Sequence, residues 1–244
     1  MRFIYGANLV LEAVRAHPQE ILRILVERGH DGRPSHGAER VVRAADEAGV
    51  RVEDAPRGEL QRRSSGGAHQ GVGAELSEFH YAELDDLLAG AARPFLVVLD
   101  GVTDPQNLGA LARSAHAFGA NGIVIPKDRA AGVTPAAFKA AAGALERFPV
   151  ARVTNLSRSL EGLKEKGVWT VGLAADGDRD LAQIDLTTGI ALVLGGEGKG
   201  VRPLVRRSCD HVARIPMQGG VGSLNVAAAG AIALYEVARQ RAAR

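Results

Sequence analysis

The chain is predicted to fold as an α/β protein with a mostly parallel sheet in its carboxyl-terminal part. The first observation is that short apolar runs, such as residues 95–99 and 190–194, alternate with segments in which apolar residues recur at helical spacing. Continuous apolar runs of this length are typical of strands buried on both faces of a parallel sheet. The second observation is size, because 244 residues, 46% of them hydrophobic, suffice for one large or two modest domains. We expect two domains.

A small α/β domain is predicted for residues 1–76. Helical spacing and short β-branched runs indicate, in order, a helix over 6–15, a strand over 21–26, a turn over 29–34, a helix over 39–48, a strand over 50–52, a helical turn over 58–63 and a strand over 70–74. If the protein binds a nucleic acid such as RNA, the basic, glycine-rich segment 62–70 is the candidate contact, since flexible glycines let cationic groups adapt to a folded backbone. A solvated loop explains the same segment equally well.

Residues 77–94 are acidic and poor in large apolar groups, which predicts a linker, and residues 95–244 form the second predicted domain. Asp104-Pro105 and Thr134-Pro135 each predict a helix start, because a capping residue precedes proline. Ser223 is likewise the expected N-cap of a last helix over 223–241. The remaining predicted elements are strands over 95–99, 122–125, 150–153, 168–173, 190–194 and 212–216 and a helix over 156–166. This alternation predicts a doubly wound sheet.

Composition excludes several classes of protein. The single cysteine, Cys209, excludes an internal disulfide framework, and the seven histidines are scattered without an H-E-x-x-H motif, so no metal site is expected. The absence of G-x-S-x-G argues against a serine hydrolase. No apolar signal region opens the sequence, and the most apolar long segment, 224–238, is shorter than a bilayer span. We therefore expect a soluble, cytoplasmic protein.

The charge distribution matters more than the net charge of +2. Residues 1–94 carry 12 Arg and 15 acidic residues, whereas residues 95–244 carry 18 Lys plus Arg and 13 acidic residues. A balance so close to neutrality does not by itself indicate a nucleic-acid partner. Any RNA contact is expected from local basic patches.

Two predicted strands end in glycine-rich loops, at residues 195–200 and 217–222, which predicts a ligand crevice at the carboxyl ends of the sheet. Plain turn chemistry is the alternative. Neither loop has the spacing of a phosphate-binding loop or of a dinucleotide fingerprint, and Glu197 suits a cation better than a phosphate. Apolar walls come from Ile215, Met217 and Leu224. The ligand indicated has a flat uncharged ring and a positive charge elsewhere, as S-adenosylmethionine has.

Three sequence blocks carry a resemblance to a known family. They are D-G-V-T-D-P-Q-N-L-G-A-L-A-R-S-A at 100–115, L-G-G-E-G-K-G at 194–200 and I-P-M-Q-G-G-V-G-S-L-N-V-A at 215–227. In this order they resemble the three motifs of the SpoU, or TrmH-type, branch of the SPOUT RNA methyltransferases, and Tyr5-Gly6 and His69-Gln70-Gly71 extend the resemblance. It implies a SPOUT-type parallel sheet with a deep trefoil knot, an L30e-like RNA substrate-binding domain over 1–76, and a homodimer. Spacing alone predicts no knot.

The resemblance also implies a reaction, the S-adenosylmethionine-dependent methylation of the ribose 2'-hydroxyl of a guanosine in large-subunit (23S) rRNA. The catalytic residues carried over by motif are Arg113, Asn107, Glu197, Ser223 and Asn225. The cofactor-binding residues carried over are Gly195, Glu197, Gly198, Ile215, Met217, Ser223, Leu224 and Asn225. Such families are described with the arginine as proton acceptor or activator. Because an arginine guanidinium stays protonated at neutral pH, it is a poor base, and we favour Arg113 as a holder of phosphate that stabilises the forming alkoxide.

Several alternatives stay open at this point. The same chemistry would serve a tRNA ribose methyltransferase or a resistance-type rRNA methyltransferase, and mapping of the methylated nucleotide separates these. A non-catalytic RNA-binding factor of ribosome assembly is a further alternative, which failure to bind the cofactor would favour. Ser223 and Asn225 are also suited simply to capping the last helix. The apolar surface of that helix fits a homodimer, and ordinary core packing explains it nearly as well.

Overall fold

The computed structural model describes residues 2–29, 31–56, 58–220 and 222–243 of the chain. Its strands are β1 (Arg2–Tyr5), β2 (Ile21–Val26), β3 (Val52–Asp54), β4 (Val72–Leu76), β5 (Phe95–Asp100), β6 (Gly122–Pro126), β7 (Val150–Val153), β8 (Trp169–Leu173), β9 (Arg179–Asp180), β10 (Ile190–Gly195) and β11 (His211–Arg214). Its helices are α1 (Ala7–Ala16), α2 (His36–Glu47), α3 (Glu59–Arg63), α4 (Pro105–Ala117), α5 (Pro135–Ala141), α6 (Leu156–Glu165), α7 (Pro203–Arg207) and α8 (Val226–Ala242). The elements form two compact units, Met1–His80 with Val133–Arg147 and Tyr81–Gly132 with Phe148–Arg244.

The first unit contains a four-stranded sheet in the order β1-β4-β2-β3, and α1 packs against both α2 and β4. Strands β1 and β2 pair antiparallel with β4, whereas β3 pairs parallel with β2. The sequence did not predict β1, because a strand of four residues is too short to show a clear pattern. Helix α2 begins earlier than predicted, since the Ser35 hydroxyl accepts a hydrogen bond from the Ala38 N–H at 3.4 Å and caps it.

Residues 133–147 lie in sequence between β6 and β7, yet they belong to the first unit rather than to the predicted domain over 95–244. Arg2 explains this placement. Its guanidinium lies over the ring of Phe138 at 4.3 Å and donates to both carboxylate oxygens of Glu146, at 3.4 and 3.2 Å. Burial raises the pKa of Glu146, and the paired guanidinium opposes that rise. The sequence does not reveal this crossing of the chain between the two units, because it depends on contacts between residues that are far apart in sequence.

Glu75 of β4 forms ion pairs with Arg23 of β2 and Arg63 of α3 in the first unit. Its carboxylate accepts hydrogen bonds from the Arg23 guanidinium at 2.7 and 3.0 Å and also pairs with Arg63. These hydrogen bonds, that of Arg23 above all, lower the pKa of Glu75 from 4.5 to about 2. The ionised carboxylate is thus the form that the folded protein stabilises.

We expect Glu75→Gln to remove a pH-dependent part of the stability. A depressed pKa stabilises the fold above the unfolded value of 4.5, and this contribution is lost as pH falls toward the folded value of about 2. The wild type should therefore have the larger free energy of unfolding at about pH 6, and this advantage should shrink by on the order of 1 kcal/mol at about pH 3.5. Urea titrations of both proteins at the two pH values measure the difference. A difference that does not change with pH would contradict the assignment.

The second unit contains a seven-stranded sheet in the order β7-β6-β5-β10-β8-β11-β9, with parallel pairing at each junction. This confirms the predicted α/β class with a parallel sheet. Each strand predicted for residues 95–244 is present, with ends that differ by at most two residues. Strand β9 and helix α7 were not predicted, because two and five residues carry too little periodicity to be recognised.

Helix α8 begins at Val226, so the prediction that Ser223 caps it is wrong. The N-cap is Asn225, whose Oδ1 accepts hydrogen bonds from the N–H groups of Ala227 and Ala228 at 2.8 and 3.3 Å. The helix packs against α4 and β10. Gly230 permits this close approach, because a Cβ atom there would overlap the leucine side chains of both partner elements.

Candidate functional site

A cleft of about 420 Å³ lies in the second unit, lined by residues from the ends of β8 and β10 and from the loop after β11. Parallel strands end at the same edge of a sheet, and for that reason loops that are distant in sequence meet here. The lining residues that the sequence predicted as cofactor-binding are Gly195, Glu197, Gly198, Ile215, Met217, Ser223 and Leu224. The structure thus brings the second and third sequence motifs together around one cavity.

Gly195 and Gly196 determine the course of the loop after β10. A Cβ atom on Gly195 would overlap the backbone of Gly200 and Val201, and one on Gly196 would overlap the carbonyl group of Gly101. The N–H of Gly200 donates to the carbonyl oxygen of Gly196 at 3.0 Å and closes the loop. Any side chain at position 195 or 196 would therefore distort the backbone that lines the cleft.

Asp100, at the end of β5, connects the first motif to the second. Its buried carboxylate accepts hydrogen bonds from the backbone N–H of Arg202 at 2.7 Å and from Nε of the same residue at 2.6 Å. The carbonyl oxygen of Asp100 accepts a further hydrogen bond from the N–H of Gly196 at 2.8 Å. Charge-assisted hydrogen bonds of this kind fix geometry as well as add stability, so the two motifs are held in one arrangement.

Asn107, Glu197 and Asn225 form a hydrogen-bond network that joins all three motifs. Asn107 Nδ2 donates to Glu197 Oε1 at 2.6 Å, and Asn225 Nδ2 donates to Glu197 Oε1 and to Asn107 Oδ1, both at 3.2 Å. Because Asn225 Oδ1 caps α8, only the NH₂ end of its amide is free to face the carboxylate. Glu197 Oε2 has no hydrogen-bond partner among the described residues and is available to a ligand.

Arg113 lies apart from this network. It is exposed on α4, whereas Asn107 on the same helix is buried. Six residues correspond to about 600° around a helix, so the two side chains leave it on different faces. Arg113 does not line the cleft, and its side chain has no hydrogen-bond or ion-pair partner in the part of the chain that the structure describes. Its guanidinium is therefore free to bind an external anion.

The loop after β8 is the part of the site that the sequence did not reveal. Leu173 at the end of β8 lines the cleft, and the loop contributes Ala174, Ala175 and Asp176. Arg206 also lines the cleft and donates to the Asp176 carboxylate at 2.7 Å, which lowers the pKa of that carboxyl. The only available signal was topological, since β8 ends at the same sheet edge as β10. Local patterns do not tell which strands are neighbours.

Segment 62–70 of the first unit, the predicted RNA contact, is partly engaged in internal contacts. Gln70 Oε1 accepts a hydrogen bond from the Ala7 N–H at 3.0 Å, at the start of α1. Arg63 pairs with carboxylates of α3 and β4. Arg62 is exposed and has no side-chain partner within the described ranges. The segment thus offers RNA one free guanidinium, fewer than its composition indicates.

Neither a membrane-spanning helix nor a metal centre is found among the described residues. Among these, no helix is long and apolar enough to cross a membrane, and no group of three or more His, Cys, Asp or Glu side chains is placed to hold a metal ion. Cys209 does not line the cleft, and burial raises the pKa of its thiol to about 11. This thiol therefore stays protonated near neutral pH and is a poor nucleophile.

Both the amino-terminal and the carboxyl-terminal part of the chain are similar in sequence to known protein families. Residues 94–235 match the SpoU rRNA Methylase family, and residues 3–82 match the RNA 2'-O ribose methyltransferase substrate binding family. The 23S rRNA (guanosine-2'-O-)-methyltransferases RlmB of Yersinia pestis and Coxiella burnetii are 42% and 43% identical to it, over 98% and 100% of this chain and 97% of each relative. The crystal structure of the SpoU methyltransferase AviRb from Streptomyces viridochromogenes in complex with AdoMet has a TM-score of 0.84 and 28% identity, over 98% of this chain and 90% of that one. The chain therefore belongs to the SpoU rRNA methylase family and has its SPOUT methyltransferase fold.

Proposed function

We propose that this protein transfers a methyl group from S-adenosylmethionine to the ribose 2'-hydroxyl of a guanosine in large-subunit rRNA. The observation that carries the proposal is the Asn107–Glu197–Asn225 network, which presents one open carboxylate oxygen beside the glycine-lined cleft. The two relatives named for this reaction support the choice of RNA, and the AviRb complex with AdoMet supports the choice of cofactor.

The residues of the cleft suit S-adenosylmethionine. The glycine loop exposes backbone against which a flat ring can lie, and Ile215 and Leu224 provide apolar walls. The open carboxylate oxygen of Glu197 supplies negative charge for a sulfonium or an amino group, whereas the Asp176 carboxylate is already paired with Arg206. When bound there, S-adenosylmethionine supplies an activated methyl group.

Methyl transfer to a hydroxyl requires alignment of the oxygen and removal of one proton. Glu197 is well placed to position the ribose, because two amide donors hold its Oε1 and leave Oε2 open. Arg113, with a free guanidinium, binds the phosphate next to the target nucleotide and stabilises the alkoxide as it forms. Ser223 lines the cleft and contributes a hydroxyl. In this account Arg113 acts as a cation and not as a base, and the proton of the 2'-hydroxyl passes to solvent water as the methyl group is transferred.

Finer features belong to the same proposal. A deep trefoil knot is supported by the insertion of β10 between β5 and β8 and by the packing of α8 against α4. A homodimer is supported by Ile232 and Tyr235 of α8, which are 43% and 56% exposed. An L30e-like first domain would bind large-subunit rRNA in the cytoplasm. A monomeric mass at micromolar concentration would remove the dimer from this proposal.

The decisive experiment is transfer of a labelled methyl group from S-adenosylmethionine to an unmodified large-subunit rRNA transcript, with nuclease mapping of the product. We expect label on the 2'-oxygen of one guanosine. A parallel reaction with unmodified tRNA serves as the comparison. Label on tRNA alone would support the proposed methyl-transfer reaction but would show that the substrate is tRNA and not rRNA. No transfer to either RNA, together with no binding of the cofactor, would favour a non-catalytic RNA-binding factor.

A further inference from the structure

Most arginines of the first unit are neutralised by carboxylates. Those with a carboxylate partner are Arg2, Arg15, Arg23, Arg28, Arg51, Arg63 and Arg147. Arg33, Arg40, Arg43 and Arg62 have no side-chain partner among the residues described. Arg40 and Arg43 are exposed and three residues apart on α2, so they share one face of the helix. Unpaired guanidinium groups on one helix face make a local positive patch in a unit that is otherwise balanced.

Arg40 and Arg43 line a cleft of about 470 Å³ between α1 and α2. Arg15 of α1 lines it as well, and its guanidinium lies 3.3 Å from the carboxylate of Glu12 in an exposed pair. Among the described residues that line the cleft, Glu47 is the one acidic residue. Its apolar lining is formed by Leu11, Val14, Pro18, Ala44 and Ala48. The cleft therefore combines three cationic groups with an apolar floor and a single carboxylate.

We propose that this cleft, defined by Arg15, Arg40 and Arg43, binds the sugar–phosphate backbone of the RNA substrate. The inference rests on the proposed function and adds the surface through which the first unit holds RNA. Guanidinium groups make charge-assisted, bidentate hydrogen bonds to phosphate, and the apolar floor accommodates a ribose. Contacts of this type position a nucleic acid without selecting its sequence.

The cleft is a stronger candidate than segment 62–70 for the main RNA contact of this unit. That segment has one free guanidinium, Arg62, whereas the cleft has two, Arg40 and Arg43, and a third that is held only by an exposed ion pair. Exposed pairs contribute little free energy, so Arg15 is able to exchange its carboxylate partner for a phosphate. The cleft is also concave, which allows several groups to surround one phosphate.

The test compares two double variants of the full chain, Arg40→Gln with Arg43→Gln inside the cleft and Arg33→Gln with Arg158→Gln outside it. Each double variant replaces two exposed arginines whose side chains have no hydrogen-bond or ion-pair partner among the described residues, so each removes two positive charges. The dissociation constant for an unmodified large-subunit rRNA transcript is measured at several salt concentrations. For the cleft variant we expect roughly tenfold weaker binding and a slope of log K against log salt that is smaller by between about 1 and 2. The matched control should keep the wild-type slope.

Three outcomes would overturn the proposal or its basis. Wild-type affinity and slope in the cleft variant, or an equal loss in the matched control, would refute the cleft as the RNA site. Failure of the wild type itself to bind or methylate RNA would refute the proposed function, so the two failures are distinguishable.

Calorimetric titration with S-adenosylmethionine and thermal unfolding should give wild-type values for both variants, because glutamine keeps the helix propensity of arginine. A cleft variant that unfolds early is replaced by the single Arg40→Gln and Arg43→Gln proteins, each of which should lower the slope by about 1.

Discussion

Arg113→Ala should lower the rate of methyl transfer to RNA by about 10³-fold or more. The affinity for S-adenosylmethionine should stay close to that of the wild type, because Arg113 does not line the cleft and has no partner among the described residues. The loss arises from the phosphate that is no longer held and from the alkoxide that is no longer stabilised. Single-turnover transfer of a labelled methyl group measures the rate, and calorimetry measures cofactor binding.

Two further variants make this result specific. Arg113→Lys keeps the positive charge but loses the planar fork that binds phosphate in two places, so it should recover only part of the activity. Arg158→Ala removes another exposed arginine of the second unit whose side chain has no described partner, and it should behave as the wild type. Substantial turnover by the alanine variant at position 113 would exclude Arg113 both as a base and as a holder of phosphate.

The sheet of the second unit was predictable because its strands are buried on both faces. The run Ile190–Gly195 is apolar almost throughout and lies at the centre of the sheet, so burial left a continuous signal in the sequence. Helix starts at Asp104 and Thr134 were predictable for a local reason, since each side chain caps the helix directly before proline. Both signals depend on neighbours in sequence.

The remaining features depend on tertiary contacts. Ser223 and Asn225 are both good N-caps, and the choice of Asn225 accompanies its hydrogen bonds to Glu197 and Asn107, which no local pattern contains. The same limit applies to residues 133–147, which join the first unit through Arg2. In the site, the glycine loops were recognisable from sequence because their backbone passes so close to other backbone that only glycine fits. The loop after β8 was not, because nothing local marks it as their neighbour.

Gly196→Ala should weaken the binding of S-adenosylmethionine by deforming the loop that lines the cleft, or else lower the stability of the folded protein. The added Cβ atom would overlap the carbonyl group of Gly101, and the backbone cannot move away easily because the Gly196 N–H is bonded to the Asp100 carbonyl oxygen at 2.8 Å. Overpacking of this kind costs about 1–3 kcal/mol, which corresponds to a loss of about 5- to 150-fold in cofactor affinity if the strain is relieved by loop distortion. If the strain instead stays in the folded protein, the free energy of unfolding falls by the same amount.

Gly219→Ala is the matched control, because Gly219 lies in the third-motif loop and an added Cβ atom there meets open space. Neither glycine has a positive φ, so the two substitutions differ in steric overlap and not in backbone conformation. Calorimetric titration with S-adenosylmethionine and urea unfolding of both variants separate loss of affinity from loss of stability. The steric overlap must lower either the affinity for S-adenosylmethionine or the free energy of unfolding. If Gly196→Ala has wild-type values of both, the loops after β10 and β5 are farther apart in solution. In that case the close approach of the first and second motifs would not be what shapes the cofactor cleft.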